Sequence, residues 1–176
     1  MRFLLVGLLS VFVWKSSNAQ DLSEVYEKVN PAVVVIVSEA KDLAVQEGKV
    51  RKVSKLGLGS GFLIAYDQVV TAAHVVTVAE QIEVQFIDGD IIPARVVSSY
   101  KSADVALLKL SRPKMGATTV SFADSDQLKI GEQIFVVGSP FGLAHSLSSG
   151  YVSGITRNTD SRNPFTDMEF IQTDAS

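Results

Sequence analysis

The sequence of 176 residues contains no cysteine and only two histidines, His74 and His145. The lack of cysteine excludes disulfides, thiolate zinc sites and a cysteine nucleophile. Two histidines are too few for a histidine-rich metal site, so we expect no metal and no cofactor. The 16 lysines and arginines are outnumbered by 19 acidic residues and form no basic block, so we do not expect nucleic acid as a partner. Any catalysis is therefore expected to use oxygen chemistry.

Long apolar runs are also scarce. The leading one, residues 3–14, has twelve residues, too few to cross a bilayer core of about 30 Å at 1.5 Å per residue. Arg2 precedes this run, and Ser17-Asn18-Ala19 follows it with the small residues of a cleavage site. We therefore predict that residues 1–19 are an export signal, removed before Gln20, with an uncleaved anchor as the alternative. Export without cysteine predicts a periplasmic or secreted protein.

Helical periodicity is limited to one short segment, residues 22–29, which ends at Asn30-Pro31 because the residue before proline avoids the helical region. Short apolar or alternating segments, separated by turn residues, then predict an all-β barrel or sandwich. Residues 111–116 have the composition of a linker. We therefore predict a leading helix and a β-barrel or sandwich over residues 20–112. Residues 113–176 hold about half as many strand signals, and we predict an incomplete second unit there.

For two stretches of the sequence a functional interpretation is possible, but we consider a purely structural one the stronger. The charged residues 39–55 predict an exposed hairpin or loop, more simply a solvated connection than a regulatory surface. Glycines alternate at Gly57, Gly59 and Gly61, but no phosphate-loop lysine follows them. We expect these glycines to allow close backbone approach where a strand bends. Ser60 is not in the G-x-S-x-G frame of a nucleophile elbow, because Leu58 and Phe62 occupy the two required glycine positions.

One pair of residues has the presentation that nucleophilic catalysis requires. His74 follows the β-branched and small residues 69–73. Asp104 precedes the apolar residues 105–108, and its neighbours Ala103 and Val105 are expected to shield it from solvent on at least one side. Imidazole is a suitable base for a serine hydroxyl, and a carboxylate fixes its tautomer. The alternatives are a partly buried histidine and a turn aspartate. His145 lies among glycines and serines and is expected at the surface.

Eight short stretches of the sequence, taken together, resemble a known pattern of motifs. They are SEVYEKVNPAVVV from Ser23, GSGF from Gly59, TAAHV from Thr71, ADVALLKL from Ala103, ADSDQLKIG from Ala123, GSPFGL from Gly138, SGYVS from Ser149 and FIQTDA from Phe170. In this order they resemble the HtrA (Do-like, DegP) branch of the chymotrypsin-like serine proteases, over nearly all of residues 23–176.

The resemblance implies the two-barrel trypsin-like fold, with the active site between the barrels and the second barrel incomplete here. It implies that His74 is the general base and Asp104 the orienting carboxylate. The nucleophile is expected after Ser176, in a GNSGG segment that also holds the oxyanion hole. Ser176 itself is expected to be a substrate-binding residue near the base of the specificity pocket.

The implied activity is that of a serine-type endopeptidase of periplasmic protein quality control, which hydrolyses unfolded or damaged polypeptides by a His-Asp-Ser triad. The full-length protein is expected to form a trimer-based homo-oligomer. Because the 176 residues do not include the serine, we expect them to be inactive alone. The alternative is a non-catalytic pseudoprotease or scaffold protein on the same fold. An unrelated secreted β-barrel binding module would instead place His74 and Asp104 far apart.

Overall fold

The computed structural model describes residues 22–46, 49–139, 145–157 and 169–175. The predicted export signal over residues 1–19 and the predicted substrate-binding Ser176 lie outside the described residues. None of the helices in the described ranges is long and apolar enough to cross a membrane.

Two helices and nine strands make up the described secondary structure. They are α1 (Leu22–Val29), β1 (Val33–Gln46), β2 (Lys49–Ala65), β3 (Gln68–Thr71), α2 (Ala73–Val76), β4 (Gln81–Gln85), β5 (Ile91–Tyr100), β6 (Val105–Leu110), β7 (Gln133–Gly138), β8 (Ser146–Arg157) and β9 (Glu169–Thr173), with 3₁₀ turns at Asn30–Ala32, Lys101–Ala103 and Ser125–Gln127.

The first six strands close into an antiparallel barrel in the order β1-β2-β3-β6-β5-β4. Strand β4 shows why the sequence folds in this way, because buried Ile82 and Val84 alternate with exposed Gln81 and Glu83. Such alternation places one face of a strand in the core and the other in solvent. The fully buried side chains at the centre of the barrel are Val34, Ile36, Leu63, Val69, Val84, Ile92 and Leu108. Burying each of them contributes roughly 1.5–3 kcal/mol of transfer free energy.

The charged segment 39–55 is a hairpin whose strands continue β1 and β2 beyond the barrel, in register to Gln46↔Lys49. Strand β4 pairs with β1 only as far as Glu39, and β3 begins its pairing with β2 at Gly61. The outer part of the hairpin is therefore a two-stranded ribbon.

The linker-like segment is held against the barrel. The backbone N–H of Lys114 donates to the carbonyl of Tyr66 at 2.7 Å. The ammonium of Lys114 lies 2.5 Å from Asp88 and 3.0 Å from Asp90, and 5.2 Å from the ring centre of Phe86. These contacts raise the pKa of Lys114 and lower the pKa of both aspartates. The domain boundary after residue 112 stays a prediction.

Strands β7, β8 and β9 form a separate three-stranded antiparallel sheet. Strand β8 is continuous through Gly150 and Gly154. At Gly150 a Cβ would overlap the backbone of Ala175, so glycine permits close approach there instead of ending the strand. The sheet meets the barrel where the N–H of Ser139 donates to Ser60 Oγ at 2.8 Å.

Candidate active site

His74 lies in the short helix α2, directly after β3. The strand ends at Thr71, Ala72 is extended, and Ala73–Val76 form a single helical turn. The hydroxyl of Thr77 donates to the carbonyl of Ala73 at 2.7 Å and secures the end of that turn. The sequence placed His74 at the end of an apolar strand; in the structure it is the second residue of the helix that follows.

Asp104 lies in the left-handed backbone region, with φ of 53°, at the end of the 3₁₀ turn Lys101–Ala103. It is the only non-glycine residue with positive φ among the residues that the structure describes. Aspartate tolerates this conformation better than most residues because its short side chain bonds locally. The turn brings the Asp104 carbonyl to the start of α2, where it accepts a hydrogen bond of 3.0 Å from the N–H of Ala73.

Both carboxylate oxygens of Asp104 are used by His74. Oδ1 accepts the backbone N–H of His74 at 2.8 Å, and Oδ2 lies 2.6 Å from Nδ1 of the imidazole. Since the carboxylate is an acceptor, we assign the ring proton to Nδ1. That tautomer leaves Nε2 with a lone pair, which is the state of a general base.

The electrostatics of the pair keep the aspartate ionised. The backbone N–H of His74, followed by its imidazole, lowers the pKa of Asp104 below its ordinary value. The side chains of His74 and Asp104 are 73% and 50% exposed. The side chain of Asp104, which was expected to be shielded on at least one side, is therefore half-exposed.

Apolar surface lies on both sides of this pair. Asp104 is at the edge of a cleft of about 460 Å³; the large side chains that line the cleft are Val33, Phe62, Val70, Val105, Phe122 and Val137. His74 borders a second groove of about 240 Å³ that includes Leu56, Leu58 and Val78. The arrangement combines a hydrogen-bonded polar pair with apolar walls, which is typical of ligand-binding sites.

His145, the other histidine, is not the surface residue that the sequence predicted. It is partly buried, its Nδ1 contacts the side-chain oxygen of Asn30, and its carbonyl accepts the hydroxyl of Tyr26 at 2.7 Å. These partners connect the start of β8 with the N-terminal helix. Within the described ranges, no group of three or more histidine, cysteine, aspartate or glutamate residues could hold a metal ion.

Sequence reasoning missed one part of the site. The alternating glycines of β2 were expected to allow close approach at a strand bend; the element that approaches is α2, because Gly57 and Gly59 lie next to Val75. The signal was the spacing of Gly57 and Gly59 on one face of a strand. The sequence alone does not tell which residue packs against these glycines.

Comparisons with known proteins identify the family of the chain. Residues 59–176 match the family model of the trypsin-like peptidase domain. A probable periplasmic serine protease do/HhoA-like of Haemophilus influenzae is 34% identical over 187 residues, covering 91% of this chain and 40% of the relative. The periplasmic serine endoprotease DegP of Escherichia coli K12 is 39% identical over 123 residues, covering 69% of this chain and 25% of the relative. The chain thus spans between a quarter and two fifths of the length of these relatives.

Solved structures match the fold. A variant of the HtrA-type protease AlgW with a decapeptide has a TM-score of 0.73 at 24% identity, covering 87% of this chain and 50% of that one. AlgW with a tripeptide has a TM-score of 0.69 at 27% identity, covering 87% and 46%. The predicted trypsin-like fold, with one closed barrel and a partial second sheet, is confirmed. The chain belongs to the trypsin-like peptidase family, as a homologue of the HtrA and DegP serine proteases.

Proposed function

We propose that this chain supplies the general base, His74, and the orienting carboxylate, Asp104, of a periplasmic serine endopeptidase that hydrolyses unfolded or damaged polypeptides. The observation that carries the proposal is the engagement of both Asp104 oxygens by His74, at 2.8 and 2.6 Å. The relatives in Haemophilus influenzae and Escherichia coli are named as periplasmic serine proteases, which supports serine endopeptidase chemistry in the periplasm. The peptides in the AlgW structures support a polypeptide substrate.

In the proposed reaction, Nε2 of His74 accepts the proton of the serine hydroxyl as the oxygen attacks the scissile carbonyl carbon. The imidazolium that forms is stabilised by the Asp104 carboxylate, which stays ionised because its pKa is lowered. His74 then donates the proton to the leaving amine as the peptide bond breaks. Water, deprotonated by the same nitrogen, hydrolyses the acyl-enzyme and regenerates the serine.

The serine itself is proposed to lie in a segment that follows the FIQTDA stretch at Phe170 in the longer polypeptide. The 176-residue chain then carries two of the three members of the proposed triad, His74 and Asp104. We expect them alone to show no proteolysis that depends on His74, since an imidazole without its nucleophile gives little acceleration of peptide hydrolysis.

Export and assembly belong to the same proposal. We propose that residues 1–19 direct export and are removed, so that the mature chain begins at Gln20, which intact-mass measurement of the periplasmic protein would test. We also propose that the full-length protein is a trimer-based homo-oligomer. Sedimentation of that protein tests this, and a monomer at micromolar concentration would contradict it.

The decisive experiment measures casein cleavage by the longer polypeptide and by two histidine variants. We expect His74→Ala to lower kcat by about 10⁴-fold or more. His145→Ala is the matched control, because it removes the other imidazole, which contacts Asn30 instead of Asp104. Equal loss in both variants would contradict the assignment of the base. A folded longer polypeptide without cleavage would favour the non-catalytic scaffold alternative.

A further inference from the structure

The helix that carries His74 rests on a glycine of β2. A Cβ built on Gly59 would lie 2.6 and 2.8 Å from the two methyl carbons of Val75, and 3.3 Å from the Val75 Cβ. Two residues earlier, a Cβ on Gly57 would lie 2.6 Å from the hydroxyl of Ser38 and 3.9 Å from the carbonyl of Val75. Only glycine allows α2 to approach the strand this closely.

Rotation of the Val75 side chain would not make room for a larger residue at position 59. Valine places two methyl groups on the three staggered positions about χ1, and both methyl groups lie within 2.8 Å of the built Cβ. Any other staggered rotamer leaves at least one methyl group in one of these two positions. A side chain on residue 59 would therefore have to displace the backbone at Val75.

That displacement would reach the catalytic pair directly, because Val75 follows His74 in the same helical turn. His74 is bound to Asp104 through its backbone N–H at 2.8 Å and its ring at 2.6 Å. These two hydrogen bonds set the distance between α2 and the Asp104 turn. The contact between Gly59 and Val75 sets the distance between α2 and strand β2.

We propose that Gly59 and Val75 are positioning residues for His74, whose close contact holds the imidazole at hydrogen-bond distance from Asp104. This inference deepens the proposed function and rests on His74 being the base. The residues touch no reacting atom, and their role is to set the separation between the helix and strand β2. A side chain at residue 59 is expected to weaken the pair, and a smaller residue at position 75 is expected to compensate for it.

The test uses a spectroscopic signature of the pair in the 176-residue chain. The Nδ1 proton of a histidine bound to a carboxylate resonates at low field in ¹H NMR. We expect Gly59→Ala to abolish this resonance and the double variant Gly59→Ala/Val75→Ala to restore it. In the longer polypeptide, Gly59→Ala should lower kcat by about 10- to 100-fold, with KM changed less than about twofold. The double variant should recover most of this loss.

Gly61→Ala is the matched control from the same strand. Its Cβ would lie 2.9 Å from a methyl carbon of Val69 and 2.9 Å from the carbonyl oxygen of Val70, so the overlap is similar but the affected neighbours differ. We expect this variant to unfold at lower temperature while the resonance and the kcat of the folded protein persist. A Gly59→Ala variant that retains both readouts would overturn the proposal, as would equal losses in Gly61→Ala.

Should Gly59→Ala fail to fold, Val75→Ala alone provides the test, because it only removes atoms. We expect a broadened low-field resonance and a kcat lowered about tenfold or more; unchanged values would overturn the proposal. The two proposals fail in different ways. Proteolysis that survives His74→Ala contradicts the proposed function, whereas the resonance in the 176-residue chain reports on positioning without any turnover.

Discussion

Replacement of Asp104 by asparagine tests the candidate site most sharply, because its consequence follows from counting donors and acceptors. The carboxylate presents two acceptors, and His74 uses both through its backbone N–H at 2.8 Å and its Nδ1 at 2.6 Å. Asparagine presents one acceptor and one donor. The backbone N–H cannot change its character, so the amide oxygen is expected to remain opposite it.

The amide NH₂ of Asn then faces Nδ1 of His74, which must become an acceptor. The ring proton moves to Nε2, and the nitrogen that should take the proton of the nucleophile no longer has a lone pair. A base held in the wrong tautomer lowers kcat by about 10⁴-fold in serine proteases. Asparagine also tolerates the left-handed backbone of residue 104, where φ is 53°, so we expect the variant to fold.

Two assays measure this outcome. The kcat of the longer polypeptide on a fluorogenic peptide should fall by about 10⁴-fold in Asp104→Asn. The ring ¹⁵N shifts of His74 in the 176-residue chain should report a proton on Nδ1 in the original protein and on Nε2 in the variant. A kcat within about tenfold of the original, or an unchanged tautomer, would refute the reasoning.

Three further predictions concern stability. Leu108→Ala removes a fully buried side chain and should lower the free energy of unfolding by about 3 kcal/mol, or Tm by roughly 10 °C. The matched control Leu56→Ala, at a residue that is 68% exposed, should change Tm little. Equal shifts in Tm would contradict the assignment of Leu108 to the barrel core. Lys114→Met keeps an apolar side chain of similar length against the barrel but removes the ion pairs with Asp88 and Asp90. Urea titrations should show a modest loss of stability that is larger at low salt than at high salt. A loss that does not depend on salt would argue against a contribution from these ion pairs. The pKa of Asp104 is lowered from 3.8, so the stability that its ionised form contributes should be complete above that pH and lost as the pH falls through the lower folded value. Unfolding of the original and Asp104→Asn at several pH values measures this, and a difference that vanishes already near neutrality would contradict it.

The barrel was predictable from the sequence because its strands repeat a local pattern. In β4, Ile82 and Val84 alternate with polar residues, and this period specifies both the strand and its buried face. The turn Asp88-Gly89-Asp90, which joins β4 to its antiparallel neighbour β5, is likewise a local pattern of turn-forming residues. The trypsin-like arrangement came from the family resemblance and not from periodicity, and the order of the strands came from the structure.

The site was predictable only as a list of residues. The backbone conformation of Asp104, and the bonds from α2 that it accepts, depend on a 3₁₀ turn without a local signature in the sequence. His145 was assigned to the surface because its partner Asn30 is 115 positions away. The sequence did not predict that Lys114 anchors the linker-like segment, for a similar reason: its partners Asp88 and Asp90 lie 26 and 24 positions away. Tertiary partners of this kind decide burial and charge, and a single sequence does not list them.

The left-handed turn at Asp104 also limits how this position can change during evolution. Two requirements coincide there, a residue that accepts a φ of 53° and a short carboxylate that accepts two hydrogen bonds from His74. Glycine meets the first requirement alone, asparagine meets the first and half of the second, and glutamate has the charge but a longer side chain and less tolerance of that backbone. None of the residues that a single base change produces from an aspartate codon meets both. A protein that lost this aspartate could therefore not keep the hydrogen-bonded pair with His74 through another single-base change at this codon. Only reversion to aspartate would restore the pair in one step.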